Sequence, residues 1–378
     1  MYALLNNLKN SYYNLKGFRT NQKLVVFESD DWGSIRFPSS EILSKLKEKN
    51  IPIDKTHYKY DALESNDDLS KLSNVLLSFS DKQGNHPVFT LNTVVANPDF
   101  KRIRESDFQN YFYEYFTQNY LRYDQRDRCE QLIFSGIEKG IFYPQFHGRE
   151  HLNVKRWMTA LQNGSSETSL LFDYEMFGLP AKLSTESRRC YQRAFDLDDK
   201  KEMEEKCNIL KDGLKVFEKI FGFKSRTMIA PNYFWFDELE RCAFENRVEL
   251  FQGQRAQFYP DYKGKHTPVK HFMGEKNKLG QFYSVRNCYF EPTQDPSFNW
   301  VDQCLGDVSN AFFFNKPAII CSHRVNYIGS INPTNRDTNL ERLYLLNKKI
   351  IERWPDVLFA NSETILDEFN SKKTRSII

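Results

Sequence analysis

Three groups of ionisable residues stand where an apolar run ends. The first is Glu28-Ser29-Asp30-Asp31-Trp32-Gly33, directly after Leu-Val-Val-Phe. Two adjacent carboxylates at a strand end point in different directions, so one can bind a cation while its neighbour stays free as a base. The competing reading is a turn, because Asp-Asp before Gly is common turn chemistry. The second is His147-Gly148-Arg149-Glu150-His151, after IFYPQF. Histidines four apart lie on one face of a helix and can share a cation. Glu150 precedes the second His instead of following the first, so the H-E-x-x-H protease pattern is broken. The third is Cys321-Ser322-His323-Arg324, closing the run AIIC. A lone His there reads more readily as a core imidazole bonded to backbone. Together, an Asp/His/His set is the nitrogen and oxygen donor type suited to Zn, with Ni or Co as alternatives. Three protein ligands leave positions open, as a catalytic metal requires.

The elements that must carry these groups follow from periodicity. Short β-rich runs alternate with helical stretches, which predicts an α/β fold. Strands are expected at Leu24–Glu28, Pro87–Val95, Thr168–Phe172, Ser225–Ala230, Val248–Gln252, Phe282–Phe290, Ala318–His323 and Val357–Ala360. A helix is expected after Pro38, with Ser40 as N-cap and Ile42, Leu43 and Leu46 at helical spacing. Others are expected at Asp212–Phe221 and Asn339–Trp354, and the charged run Asp196–Lys206 reads as a solvated helix face. In α/β folds chemistry gathers at the C-terminal ends of strands, which is where all three groups sit. No repeat and no Pro/Ser/Gly linker divides the 378 residues, so one barrel-like domain with insertions is expected over 1–378.

Composition excludes several classes. Lys and Arg number 53 against 50 Asp and Glu, without basic clustering, so no electrostatic footprint for nucleic acid exists. No apolar run approaches the roughly 18 residues of a transmembrane span. The segment Met1–Arg19 has no continuous apolar core and no small-residue cleavage site, which leads to a cytoplasmic expectation. The seven cysteines are scattered without a C-x-x-C pair, so reduced thiols are expected rather than disulfides or structural zinc. Aromatic residues make up 15% of the chain, with 32 Phe alone, enough to fill a large core. The densest ring cluster is Tyr111 to Tyr123, where Phe112, Phe116, Tyr120 and Tyr123 share one helical face expected to pack on the barrel.

The order of these motifs resembles the polysaccharide deacetylase superfamily, the NodB-like carbohydrate esterases. FESDDWG is similar to its first motif, HGREH to its second, IAPNYFW (Ile229–Trp235) to its third and IICSH to its fifth, across roughly Lys23 to Val325. The resemblance implies an irregular (β/α) barrel and metal-dependent removal of an N- or O-linked acetyl group from a carbohydrate. It implies Asp30 as general base for the attacking water and His323 as the acid for the leaving group. Asp31, His147 and His151 would hold one divalent metal, and backbone N–H groups near Pro231–Tyr233 would help form an oxyanion hole. Trp32 and Trp235 flank these segments and are expected to face sugar. Tyr233, Arg149, Arg324, Asn326 and Tyr327 are expected to meet substrate hydroxyls or an anionic group. The substrate would be an acetylated sugar, a nucleotide sugar or a lipid-linked glycan. Asp31 and His147 are 116 residues apart, so a helical insertion is expected at about 100–140. Three departures stand out: Trp32 replaces the usual Gly, Ile229 replaces the usual Arg, and the fourth motif has only Asp295, Trp300 or Arg255 as candidates. They leave a second reading, a non-catalytic carbohydrate-binding protein on a decayed deacetylase fold.

Overall fold

Alternation along Leu24–Trp32 decides the architecture. Leu24 and Val26 pack with Leu250, Phe282 and Ile319, whereas Val25 and Phe27 pack with the helices on the other face. Every residue of this strand is buried, as expected where helices cover a parallel sheet. The computed structural model describes residues 11–180, 182–184, 190–262 and 266–375. Met1–Asn10, part of the segment read for a leader, lie outside the described residues.

The central strands are β1 (Leu24–Trp32), β2 (Phe89–Thr93), β3 (Phe142–Phe146), β4 (Thr227–Ile229), β5 (Leu250–Gln252), β6 (Phe282–Tyr283), β7 (Cys288–Tyr289), β8 (Ala318–His323) and β9 (Leu358–Ala360). Their order is β6-β5-β4-β3-β2-β1-β8-β7, all parallel, with β9 beside the start of β1. An antiparallel pair, Glu275–Lys276, extends the β6 edge. β6 and β7 are two parts of one extended segment that changes partner midway. Ser284 and Arg286 donate their N–H groups to Phe251 and Gly253 beyond β5, both at 2.9 Å. Asn287 and Phe290 then donate to Ile319 and Cys321 of β8, at 3.2 and 3.0 Å. The two sheet edges therefore share one chain segment, and the sheet closes as an irregular barrel.

The helices include α1 (Ser40–Glu48), α2 (Asn66–Leu77), α3 (Cys129–Glu138), α4 (Met203–Phe221), α5 (Asp237–Glu245), α6 (Trp300–Phe313), α7 (Pro333–Arg353) and α8 (Ser362–Arg375); α1, α4 and α7 cover the helices expected from spacing. Leu366 and Phe369 of α8 join the apolar cluster formed by Leu24, Val26, Leu250 and Ile319, closing one end of the barrel. Among the described residues, no helix is long and apolar enough to cross a membrane. All seven cysteines are free.

Several expectations need correction. Thr168–Phe172 lies in a helix, Ser166–Asp173, because Ser165 caps it through Thr168 and its apolar residues pack on Trp157. The N-cap of α1 is Ser39, whose side chain accepts from the Ile42 N–H. Asp196–Lys206 is not one solvated helix face: α4 begins at Met203, and Lys206 is fully buried with its Nζ on Asn153 Oδ1 at 2.7 Å. The 100–140 region is only partly helical, since Tyr113–Tyr115 pairs as a strand with Ala96–Pro98. Phe116 and Tyr120 do bury their rings, but in a helix of only five residues, Phe116–Tyr120. A further excursion, Ile53–Lys55 and His57–Tyr60 in 3-10 turns, had no sequence signal.

Gly136 of α3 meets β3 so closely that an added Cβ would lie 2.1 Å from Phe142 Cδ2. Overpacking of this kind costs about 1–3 kcal/mol. Gly136→Ala is expected to lower the urea midpoint with an unchanged slope; a midpoint equal to the parent's would contradict this packing.

Candidate metal and acid–base site

β1 delivers Glu28 and Asp30 to the inside of the barrel, in register with Cys321 and His323 of β8. Strict alternation would send Asp31 to the opposite face. Instead Asp31 takes a left-handed φ of 77°, followed by Gly33 at 80°, where the pairing of β1 with β2 shifts register. A bulge of this kind re-aims a side chain beside an active site. It lets two neighbouring carboxylates serve one site.

His147 follows β3, its N–H bonded to the Thr93 carbonyl at 2.9 Å. The His147–His151 pair does not share a helical face, contrary to the spacing argument. Residues 147–153 form a loop, turned at Gly148 with φ 101°. The loop is bonded to the chain after β2 through Val95 N–H to Gly148 O and Ala96 N–H to Arg149 O. The loop brings the two imidazoles to 5.1 Å between centroids. Asp31 Oδ1 lies 3.5 Å from His147 Nε2 and 3.4 Å from His151 Nε2. Donor atoms about 3.3 Å apart are what a tetrahedral ion with bonds of about 2.0–2.1 Å needs. His147 Nδ1 donates to the Ile229 carbonyl at 3.0 Å, leaving Nε2 as the lone-pair donor. Burial holds His151 down at about 3, hence neutral. Burial opposes ionisation of Asp31, but Arg36 and the two histidines hold it well below the usual carboxylate range. The donor set and spacing fit one divalent cation.

Beside it lie two charge pairs. Asp30 accepts from Arg286 Nη1 and Nη2, each at 2.6 Å, and from Asn92 Nδ2 at 2.8 Å. Burial would raise its pKa, but the Arg286 guanidinium outweighs this and holds Asp30 at about 2. Arg286 Nε also bonds Glu28 at 2.7 Å. His323 Nδ1 faces Glu291 Oε1 at 2.6 Å, and its Nε2 stands 3.8 Å from Asp30 Oδ2. Burial alone would depress His323; Glu291 more than offsets it and pushes the imidazole up to about 9. Asn326 Nδ2 in turn holds Glu291 Oε2 at 2.8 Å.

The other expected site residues divide. Pro231 packs on the histidine loop, its Cγ 3.3 Å from where a Gly148 Cβ would stand. Asn232 and Tyr233 are both left-handed, at φ 55° and 65°, and the Tyr233 hydroxyl feels Cys321, Arg286 and Asp30. The Tyr233 N–H is already bonded to Ala230 O at 2.9 Å, so it is not a spare oxyanion donor. Trp32 and Trp235 do not face solvent. Each is 2% exposed, with indole N–H groups on Ser29 Oγ and Glu240 Oε1, and Trp235 stacks on Phe251. Arg149 is held by Glu150 and Asp212 over the Tyr113 ring. Arg324 is fully buried between Asp61 and Glu64. Both arginines are spent on structural pairs rather than offered to a substrate. Tyr327 is buried against Ser322 Oγ.

The fourth-motif candidates are engaged elsewhere: Trp300 Nε1 donates to the Asp295 carbonyl, and Asp295 is exposed and bonded to Ser297. Arg255 lies over the Tyr13 ring. Arg286 holds Asp30 and Glu291 holds His323, and the sequence reading missed both. A visible signal existed, since Phe282–Phe290 is an apolar strand with one arginine inside it and a glutamate at its end.

No family model and no curated protein matches the sequence. Among solved structures the chain is similar to a protein of Mycobacterium smegmatis assigned as a polysaccharide deacetylase, at 12% identity and TM-score 0.42, covering 95% of this chain and 94% of that one. It is similar to a mutant of BA3943, a CE4 family pseudoenzyme, at 12% identity and TM-score 0.38 over 93% and 70% of the two chains. It is also similar to 4-alpha-glucanotransferase from Thermococcus litoralis, at 9% identity and TM-score 0.44 over 92% of this chain, spanning 40% of the length of that enzyme. Likenesses with scores this low say nothing of chemistry, which has to come from the site itself.

If Asp31, His147 and His151 share one ion, His151→Ala should weaken Co2+ binding by at least the ~10–100-fold typical of losing a mere supporting partner. Calorimetric titration of metal-stripped protein measures this; equal affinity in parent and variant would remove His151 from the ligand set.

Proposed function

We propose that the protein is a metal-dependent hydrolase that removes an N- or O-linked acetyl group from a carbohydrate, on one barrel domain with insertions. The observation that carries the reading is the convergence of a three-donor cation cluster with Asp30 and His323, whose facing atoms are 3.8 Å apart. The ordered resemblance of FESDDWG, HGREH, IAPNYFW and IICSH to the deacetylase motifs supports the choice of substrate. Zn2+ is the proposed ion, since two imidazoles and one carboxylate with open positions are its usual hydrolytic ligand set.

When bound, the ion supplies Lewis acidity, polarising the acyl carbonyl and lowering the pKa of water. The chain's own residues do the rest. Arg286 and Asn92 fix the Asp30 carboxylate so that it can take a proton from the attacking water. A carboxylate with a pKa near 2 is a weak base, so its contribution is orientation and charge more than basicity. His323, protonated at neutral pH, gives its Nε2 proton to the departing nitrogen or oxygen as the acyl bond breaks. Glu291 holds the proton on the other ring nitrogen, Nδ1, and compensates the imidazolium charge.

Acetate release from N- and O-acetylated sugars, before and after chelation, tests the reading. Asp30→Asn should lower kcat by the ~10²–10⁴-fold attributed to a positioned acid or base; undiminished release would sink the assignment. The pH dependence has a defined sign. His323 is raised to about 9, so the acid form is present below that value and kcat/KM should fall as pH rises through it. Glu291→Gln removes the main cause of the rise, so the alkaline limb should move down toward the ordinary imidazole value of about 6.5. An alkaline limb unmoved by that variant would assign it to another group.

A further inference from the structure

We propose that Arg36 is a positioning residue that fixes Asp31 as a one-oxygen ligand and ties it to the wall beside His323; this rests on the metal reading above. The two oxygens of Asp31 have different neighbours. Oδ1 faces both histidine Nε2 atoms, while Oδ2 accepts from Arg36 Nη2 at 3.0 Å. With Oδ2 so engaged, the carboxylate cannot swing to present both oxygens to one ion.

Arg36 is itself held in a closed circuit of buried charge. Its Nε is ion-paired with Asp61 Oδ2 at 2.9 Å. Asp61 Oδ1 accepts from Arg324 Nη2 at 2.8 Å, and Arg324 Nη1 bonds Glu64 Oε2 at 2.8 Å. Glu64 Oε1 accepts the Gly33 N–H at 3.0 Å. The circuit thus leaves the Asp31 loop at a carboxylate and returns to it two residues later at a backbone amide. Its charged members are all at most 5% exposed, where an ion pair is screened far less than at the surface. The flat face of the guanidinium lies 4.3 Å from the Tyr58 ring centroid, and Tyr58 meets the His323 imidazole edge-on at 5.9 Å. One side chain therefore touches the ligand on one side and packs the acid's neighbour on the other.

A lysine at this position keeps the charge and loses both the fork and the flat face. Charge alone and positioning therefore make opposite predictions for Arg36→Lys. The test is Co2+ titration of metal-stripped full-length protein, read by the visible absorption of the bound ion and by calorimetry, with thermal unfolding in parallel. Arg36→Lys is expected to bind Co2+ about 10–100-fold more weakly and with an altered absorption band, because the Asp31 oxygen is no longer fixed. Parent-like affinity and band in Arg36→Lys would overturn the proposal, even if its unfolding temperature fell. Arg36→Met, which also leaves Asp61 with one fewer partner, is the second variant; a parent-like Co2+ band in folded Arg36→Met protein would overturn the proposal equally. Failure of the parent to bind Co2+ at all would overturn the metal reading and this proposal together. Binding without acetate release would overturn only the deacetylase reading, leaving the role of Arg36 standing.

Discussion

The Arg286 guanidinium is the point on which the barrel and its chemistry both depend. Its backbone lies where the closing segment leaves β5 and joins β8, so the residue sits at the seam. Its side chain, fully buried, spans Glu28 and Asp30 of β1 on the inside. Two carboxylates two residues apart on one strand could not both remain charged in that interior without it. Burial raises Glu28 even in the presence of the arginine. Removing one member of such a buried set costs about 3–5 kcal/mol, because the charge left behind is unpaired. The residue whose backbone lies at the closing seam also fixes the Asp30 carboxylate with its side chain, so the closure of the fold and the geometry of the site are not separable there.

Above and below that seam the barrel is layered. The lower layer is apolar, filled by Leu24, Val26, Leu250, Ile319 and the inward residues of α8. The middle layer is polar and fully buried: Asn92 links Asp30 to Gln252, Gln252 reaches Thr227, and Glu28 bonds Ser362 at the start of α8. The upper layer holds Asp31, His147 and His151, the candidate cation cluster, with His323 beside it. Strand alternation explains the first two layers, and the left-handed turn at Asp31 explains why the third can use consecutive residues.

The legible part of this arrangement was whatever local spacing controls. Strand ends carrying Asp30, His147 and His323 were visible because apolar runs of fixed length stop there, and their donors do converge. The histidine pair was recognised for a helical reason that the loop at Gly148 does not share; spacing of four was right and its cause was not. Trp32, Trp235, Arg149 and Arg324 were read as substrate contacts because each adjoins a motif. Proximity in sequence says nothing about which way a side chain faces. The partner of Arg324 is Asp61, 263 residues away, and no local pattern reveals that a cation is already committed. Arg286 and Glu291 escaped for the opposite reason. Neither stands at a position that the motif resemblance marks, although an arginine inside an apolar run is itself a signal.

The competing idea of a decayed, non-catalytic barrel meets a physical objection in the same residues. Asp31 holds a left-handed backbone that costs a non-glycine residue about 1–3 kcal/mol. Around it, Asp30, Asp61, Glu64, Arg36, Arg286 and Arg324 are all removed from water, and replacing buried ion pairs with well-packed apolar side chains is often neutral or stabilising. A barrel freed from chemistry could exchange these pairs whole for apolar residues at little loss, and relax the strained aspartate. What stands instead is a complete set: three donors at metal spacing, a base with its arginine, and an imidazole with its glutamate. Where the resemblance leads one to expect an arginine before Pro231, the chain has Ile229, and Arg286 from another strand holds Asp30. Displacement of a tether preserves the geometry of the base, whereas loss of function would remove the need for any tether there.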